Sequence, residues 1–355
     1  MHPFHDALVS FAERRDITMK AMNIGRNEAG QRLDKYLAKV LAEAPKSFLY
    51  KMLRKKNITL NGKKASGSEI LKEQDEVKFF LSDETFEKFS RKEFCRTRQN
   101  LDIIFENEDV LLINKPAGVL SQRQDAKEES MVEQMISYLL DTQAISQKQL
   151  RTFRPGICNR LDRNTSGLLI AGKTLPALQQ LSDLIRNRSV HKYYLCLVKG
   201  VLKEKQSIRG FLKKDNNRNI VRIYPSQVED AVFIETVYEP LGNNGAVTLC
   251  KVLLVTGRAH QIRSHLSSIG HPIIGDTKYG NVTVNQQFRQ KYRLKRQLLH
   301  AWNLEFPDME TDELKIGGKS FFAPLPDDFA KILQGENLPE ESMINGGKEK
   351  KRRAQ

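Results

Sequence analysis

The sequence has little of what would assign it to several common classes. Its 355 residues hold one Trp and four Cys, and Cys95, Cys158, Cys196 and Cys250 show no Cys-x-x-Cys spacing. That pattern argues against a thiolate zinc site and against a disulfide framework. Three of the four lie in or beside apolar runs and read as small buried hydrophobes, which fits a reducing cytoplasm. No run approaches the roughly 20 apolar residues that a spanning helix needs, and no basic amphipathic anchor replaces one. Residues 1–22 mix His, Asp, Glu and Arg through their apolar positions, so no signal-peptide core is visible. No internal repeat stands out.

What the chain does have is positive charge. Lys and Arg number 58 against 43 Asp and Glu, a net +15. Such a surplus favours a polyanionic partner, because each cation set on a phosphate releases condensed counterions. A hydrophobic content of 39% is enough for a core, and the length suits about two domains.

Residues 1–22 read as a loosely ordered extension, followed by a small unit over 23–81. Leu33, Tyr36, Leu37, Val40 and Leu41 recur at helical spacing, with Arg32 and Lys35 mainly on the other face. Ser47 is placed to cap a second short helix, whose exposed side carries Lys51, Arg54 and Lys55. Ile58–Leu60 then reads as a strand turned by Asn61-Gly62, a strong hairpin signal. Val77–Leu81 closes the unit. Two short basic helices followed by a small sheet resemble the S4 RNA-binding domain.

Residues 82–100 are polar and charged and read as a linker, and the basic end at 335–355 reads as disordered. Between them, 101–334 alternates strands (Val110–Asn114, Leu168–Ala171, Tyr193–Val198, Ala231–Tyr238, Val247–Val255) with helices at Met131–Leu140 and Pro176–Arg186. Strands joined by long excursions predict an α+β domain on a mostly antiparallel sheet, rather than a doubly wound one.

One segment concentrates chemistry. Arg160-Leu161-Asp162-Arg163-Asn164-Thr165-Ser166-Gly167 leads a polar turn into the apolar strand Leu168-Leu169-Ile170. A carboxylate between arginines stays ionised and can serve as nucleophile or charge stabiliser. Taken alone, the same segment fits a structural Arg–Asp pair equally well. It resembles the catalytic motif of the large-ribosomal-subunit branch of pseudouridine synthases, with one departure: Asn159 stands where most members carry His. Three further motifs follow the family's order. They are Asn114-Lys115-Pro116-Ala117-Gly118, Lys192-Tyr193-Tyr194, and Thr256-Gly257-Arg258-Ala259-His260-Gln261-Ile262-Arg263 with Gly275-Asp276 and Tyr279. The resemblance spans about residues 26–334.

The resemblance implies Asp162 as the catalytic carboxylate, Arg263 as its ion-pair partner and Tyr194 as the active-site tyrosine. It also implies Arg160 as the arginine inserted where the target base leaves its stack, and an RNA-binding set of Arg160, Arg32, Lys35, Lys51, Arg54, Lys55 and Lys115. Tyr193 and Tyr194 alternate across a strand, so only one can face the site. The expected substrate is uridine in large-subunit (23S) ribosomal RNA, with transfer RNA as the alternative. Uridine and pseudouridine are isomers, so the reaction needs no organic cofactor and no metal, and none is expected. The default assembly is a monomer.

Three rival readings are weaker. Gly167–Thr174 satisfies the P-loop pattern, but its middle residues Leu168-Leu169-Ile170-Ala171 are a buried strand and no nucleotide cofactor is expected. His260, His265 and His271 do not converge on a metal and read as hydrogen-bonding groups. A non-catalytic RNA-binding or ribosome-assembly factor would have no reason to hold Asp162, Tyr194 and Arg263 together.

Overall fold

The computed structural model describes residues 17–90, 94–98, 100–123, 125, 128–215 and 220–340. The chain forms two units. One combines the N-terminal stretch through Arg96 with Tyr138–Pro155 and Thr174–Pro176; the other takes Thr97–Ser137, Gly156–Lys173 and the chain from Ala177 onward. Expected as one continuous stretch over 101–334, the C-terminal domain thus lends two short segments to the N-terminal unit.

In that first unit, β1 (Ile17–Asn23) is followed by α1 (Leu33–Val40), α2 (Lys46–Arg54), β2 (Ile58–Leu60), β3 (Lys63–Lys64), β4 (Glu76–Ser82) and α3 (Asp83–Phe89). The strands form a sheet in the order β1-β4-β2-β3. Leu33, Tyr36, Leu37 and Val40 of α1 and Leu49, Met52 and Leu53 of α2 pack with Ile58, Val77 and Phe79 into one core. Asn61 and Gly62 both take positive φ, 51° and 72°, as a two-residue turn matched to strand twist demands.

Three expectations need correction here. Residues 17–22 are not a loose extension: β1 pairs with β4 along its whole length, Ile17 opposite Ser82 and Asn23 opposite Glu76. Residues 1–16 lie outside the described residues. The linker expected at 82–100 begins with a helix instead. Ser82 accepts a hydrogen bond from the Thr85 amide at 3.2 Å, Asp83 and Glu84 complement the positive helix end, and Phe86 buries against Phe79 with ring centroids 5.4 Å apart. Phe89 meets Phe48 with centroids 4.6 Å apart, and two well-placed aromatics outweigh a charged composition. At α2 the cap is Pro45, not Ser47; its φ of −59° already suits a helix start.

The second unit continues with β5 (Asp102–Glu106), β6 (Val110–Lys115), α4 (Met131–Asp141), α5 (Gln147–Leu150), β7 (Gly156–Ile157), β8 (Ser166–Gly172), α6 (Leu175–Arg186), β9 (His191–Lys199), β10 (Gln206–Asp215), β11 (Ile220–Tyr224), β12 (Val232–Asn243), β13 (Val247–Leu254), α7 (Gln261–Ser268), α8 (Val282–Tyr292), β14 (Leu299–Glu305), β15 (Ser320–Phe322) and α9 (Asp327–Gly335), although α5 and the ends of α4 and α6 fall in the first. Among the described residues the main sheet has 11 strands, with path β11-β10-β12-β13-β9-β14-β8-β6-β5. Among the described residues only the β14–β8 strand pair is parallel. The fold is therefore α+β on a mostly antiparallel sheet, as expected.

β8 is buried along its entire length, which its uninterrupted apolar run requires in the centre of a covered sheet. The P-loop match lies in this strand, and Lys173 at its end bonds Glu106 at 2.7 Å. The C-terminal end expected as disorder from 335 holds Leu338 5% exposed in the core beside α9; residues 341–355 lie outside the described residues. Among the described residues, no helix is long and apolar enough to cross a membrane.

Candidate functional site

The loop from β7 into β8 carries Asp162, and its backbone is tied down on both sides. The Ser121 hydroxyl donates to the Leu161 carbonyl at 2.8 Å and accepts from the Leu161 amide at 3.0 Å. The Arg163 carbonyl accepts from the Gly118 amide at 2.8 Å and from the Lys115 ammonium at 2.9 Å. Thr165 closes a turn by donating its amide to the Asp162 carbonyl at 3.0 Å. Upstream, Asn159 acts as a piece of strand. Its side-chain oxygen accepts from the Ile170 amide at 2.7 Å, and its nitrogen donates to the Leu168 carbonyl at 3.1 Å. An amide has both a donor and an acceptor to offer β8, so Asn159 anchors the loop in the position of the usual His.

The other half of the site comes from α7 and the turn after it. His260 takes a left-handed conformation (φ 54°) and starts the helix, which delivers Arg263. The Arg263 guanidinium forks onto Asp276 at 2.7 and 2.8 Å and reaches Asp162 Oδ2 with a third hydrogen bond of 2.7 Å. Burial works against the cation, but Asp276 and then Asp162 outweigh it and hold the guanidinium charged. Asp276 is fully buried; desolvation raises its pKa, yet the Arg263 bonds, with the Lys278 and Tyr279 amides, pull it below the usual carboxylate range. Asp162 differs from Asp276 in being open: its side chain is 26% exposed.

Tyr279 fills the space between these groups. The Arg263 guanidinium lies 5.2 Å from its ring centroid, and its hydroxyl contacts His260 Nδ1 at 2.9 Å while accepting from the Val221 amide at 2.8 Å. His260 Nε2 stands 4.0 Å from Asp162 Oδ1. Burial pushes the His260 imidazolium down, which keeps the ring neutral beside the ion pair.

Tyr194 enters from β9. Its register partner on β14 is Ala301, which in turn pairs with Gly167 on β8, so one rung crosses three strands under the loop. Gly167 is required there: at φ +110° a Cβ would lie 2.2 Å from the Ala301 carbonyl oxygen. Tyr194 is 5% exposed, and burial followed by the charge of Asp162 pushes its phenol pKa well up. Tyr193, on the other face of β9, is partly buried against a core cluster, with Lys251 over its ring at 5.0 Å.

Asp162 and Arg263 are thus in contact, Tyr194 senses the Asp162 charge, and Arg160 is exposed on the same loop. In the N-terminal unit Arg32, Lys35, Lys51, Arg54 and Lys55 are all on the surface, Arg32 being forked onto Asp34 at 2.8 and 3.1 Å. Lys115 does not belong in the RNA-binding set. It is 0% exposed and donates to three carbonyls, of Pro116, Val119 and Arg163, at 2.8 to 2.9 Å. Burial pushes its ammonium down to about 7 against the opposing charge of Asp162. A lysine with all three protons committed to backbone has none left for phosphate. Asp276 and His260 are site groups to which the sequence assigned no such place; the signal is their presence in the same motif as Arg263. His265 and His271 bond Thr236 and the Lys199 carbonyl at 2.8 Å each, and no metal-holding cluster of three or more His, Cys, Asp or Glu occurs among the described residues.

Comparison with known proteins bears on this geometry. Residues 109–268 match a family model described as RNA pseudouridylate synthase, and residues 31–77 match the S4 domain. The chain is 33% identical over 332 residues to ribosomal large subunit pseudouridine synthase C of Pasteurella multocida, covering 89% of this chain and 93% of that one. It is 31% identical to ribosomal large subunit pseudouridine synthase D of Nitrosomonas europaea, with 91% and 89% covered. Among solved structures, human RNA pseudouridylate synthase domain containing 4 shares the fold with a TM-score of 0.54 at 20% identity, over 67% of this chain and 93% of that one.

Proposed function

This chain belongs to the RNA pseudouridylate synthase family, and we propose that it isomerises uridine in large-subunit ribosomal RNA with Asp162 as the catalytic carboxylate. The observation that carries the residue assignment is the asymmetry of the two aspartates on Arg263. Asp276 is buried and sets both oxygens on the guanidinium, whereas Asp162 takes a single hydrogen bond from it and its side chain stays 26% exposed. One carboxylate anchors the arginine, and the arginine presents the other, ionised and oriented, to a substrate.

The reaction breaks the N1–C1′ glycosidic bond, turns the uracil and joins C5 to C1′; a proton leaves C5 and one is gained at N1. No atom or electron is lost overall, so the balance calls for no cofactor. Asp162 serves this sequence as a nucleophile toward the sugar or base, or as the group that stabilises positive charge developing at C1′. Tyr194 supplies a flat face for the base. Its phenol is held protonated by burial and by the Asp162 charge, so it takes up the C5 proton only by passing its own hydroxyl proton on, ultimately to the N1 that gains one. The target nucleotide has to leave its stack to reach a half-buried carboxylate, and exposed Arg160, two residues away, fits the space that it vacates.

The N-terminal basic helices hold the RNA by its phosphates. A monomer suffices, because Asp162, Arg263, Asp276 and Tyr194 come from one chain. The four cysteines are free, which suits the cytoplasm as the setting. The test is Asp162→Asn: the rate is expected to fall by about 10⁴-fold, so that pseudouridine mapped across cellular RNA is lost at one or more large-subunit sites, while the purified variant binds RNA as before. Unchanged modification would overturn the assignment, and loss confined to transfer RNA would move the substrate.

A further inference from the structure

The strands at the far end of the main sheet have two faces of different character. The inner face of β10, β11 and β12 holds Leu212, Val221 and Ile234, packed with Ile223 and Tyr279, the tyrosine bonded to His260. The outer face is built otherwise. In antiparallel strands, directly opposed residues share a face. Phe211 stands opposite Tyr224 of β11 on one side and Phe233 of β12 on the other, a rung of three aromatics across three strands. Phe233 is 44% exposed, and its ring meets that of Phe211 edge to face with centroids 5.9 Å apart. Burying such rings is the ordinary outcome in a folded chain; here Phe233 is left on the surface and Phe211 and Tyr224 are only half-buried.

Two residues along, Lys213 is set directly opposite Arg222. Like charges facing each other across a strand pair are destabilising, so the arrangement costs the free protein something. Asp230 lies 3.9 Å from Lys213 and is itself 82% exposed, so that contact is weak, and Glu235 on the same face is bonded to Arg209 at 3.0 Å. A phosphate set between the two cations removes the repulsion.

We propose that this outer face is a second RNA contact surface, on which unpaired bases stack against Phe233 and its neighbours while Lys213 and Arg222 hold the adjoining phosphates. The inference rests on an RNA substrate, as proposed for the catalytic site, but assigns a surface on the opposite side of the strands from Tyr279 and Asp162. Two features together point to single-stranded RNA: a row of aromatic rings and a cationic rung beside it. An apolar protein partner would not need the facing cations, and a duplex would have no free base face to stack.

The test uses the full chain and a fluorescein-labelled oligouridylate of about ten nucleotides, a length that stacking surfaces of this kind span. Phe233→Ala is expected to weaken binding about tenfold, the loss of one base stack, and Phe233→Trp to restore it. Lys213→Gln with Arg222→Gln should lower the slope of log affinity against log salt by about 1.4, two phosphates on a single strand. Ultraviolet crosslinking of the oligouridylate should recover peptides carrying Phe211, Tyr224 or Phe233. Phe233 and both cations are at the surface, so the variants keep the core intact. Unchanged affinity in all of them, or crosslinks only in the N-terminal unit, would overturn the proposal. So would a change in the sedimentation of the chain in place of its RNA affinity, which would make the face a contact between copies. Asp162→Asn serves as the separating control: if pseudouridine persists in it the catalytic reading fails, whatever the outer face does.

Discussion

The cations of the N-terminal helices and the cations around Asp162 are the same residue types in opposite circumstances. Lys35, Lys51, Arg54 and Lys55 stand in water, each able to exchange one counterion for another. Lys115 and Arg263 are almost wholly buried, and their donors are committed: to three carbonyls for Lys115, to two carboxylates for Arg263. Exposed cations gain affinity for a polyanion at little structural cost. Buried ones fix the positions of other groups and are costly to lose, because their partners are left uncompensated in a low dielectric. Net charge counts both kinds alike, so a surplus of +15 overstates the part of the surface available to RNA.

Arg263 offers the largest test of that distinction. Arg263→Ala strands the Asp276 carboxylate in the interior and is expected to cost about 3–5 kcal/mol of stability, read from urea midpoints, and to abolish detectable pseudouridine formation. Arg263→Lys keeps a charge but cannot fork onto one carboxylate while reaching another. Its stability should recover in part while kcat stays low. Full activity in the lysine variant would mean that charge alone is needed and that the geometry around Asp162 is incidental.

Acid provides the next test, through side chains that burial keeps neutral. His265 and His300 are buried, and desolvation pushes each down to about 4 from 6.5. Below 6.5 the unfolded chain takes up protons that the folded chain refuses, so stability falls as pH drops from 6.5 toward 4. At about 1.4 kcal/mol per unit, each histidine contributes a loss of about 3 kcal/mol by pH 4. Asp276, held below 3.8, gives up its share only at still lower pH. Urea midpoints at pH 7 and about 4.5 should differ by most of this amount, and His300→Gln should flatten the dependence. A pH-independent midpoint over that range would show the two rings to be reachable by water.

Lys115→Met follows. The variant leaves three backbone carbonyls short of a donor and is expected to cost about 2 kcal/mol, within the range for a buried polar group left unsatisfied. Because one of those carbonyls belongs to Arg163, next to Asp162, kcat should drop while the affinity for RNA holds. A weakened affinity with kcat unchanged would return Lys115 to the phosphate-binding set and erase its contrast with the surface cations.

What can be read from the sequence divides along the same line. The five strands expected at Val110, Leu168, Tyr193, Ala231 and Val247, the hairpin at Asn61-Gly62 and the α+β class follow from local periodicity and turn chemistry, whereas β7, β10 and β11 carry too weak a local pattern to be expected. The Asp162–Arg263 contact spans 101 positions and follows from motif order, not from any local rule. Lys115 is misplaced by sequence alone because burial is a property of the assembled fold: six residues of β6 read alike whether the terminal lysine turns inward or outward. The helix at Asp83–Phe89 is hidden for a related reason, since two Phe among charges are too short a pattern to read until Phe79 and Phe48 are there to receive them. Asp276 is a lone acid in a Gly-rich turn, and only the guanidinium across from it reveals its purpose.

The smallest effect is expected where the cations face water. Replacing Lys51, Arg54 and Lys55 together by Gln should leave the urea midpoint within about 0.5 kcal/mol, as surface changes usually do. Pseudouridine formation at saturating RNA should be unaltered, because none of the three lies in the unit that carries Asp162. What should change is the salt dependence of RNA affinity, whose log–log slope falls by about 0.9 for each duplex phosphate that no longer meets a cation. A drop of about 2.7 would assign all three to phosphates, and a smaller one would say how many of them the RNA touches. If kcat at saturation fell instead, the exposed helices would be acting on the reaction itself, and the division between cations that hold RNA and cations that hold the site would not stand.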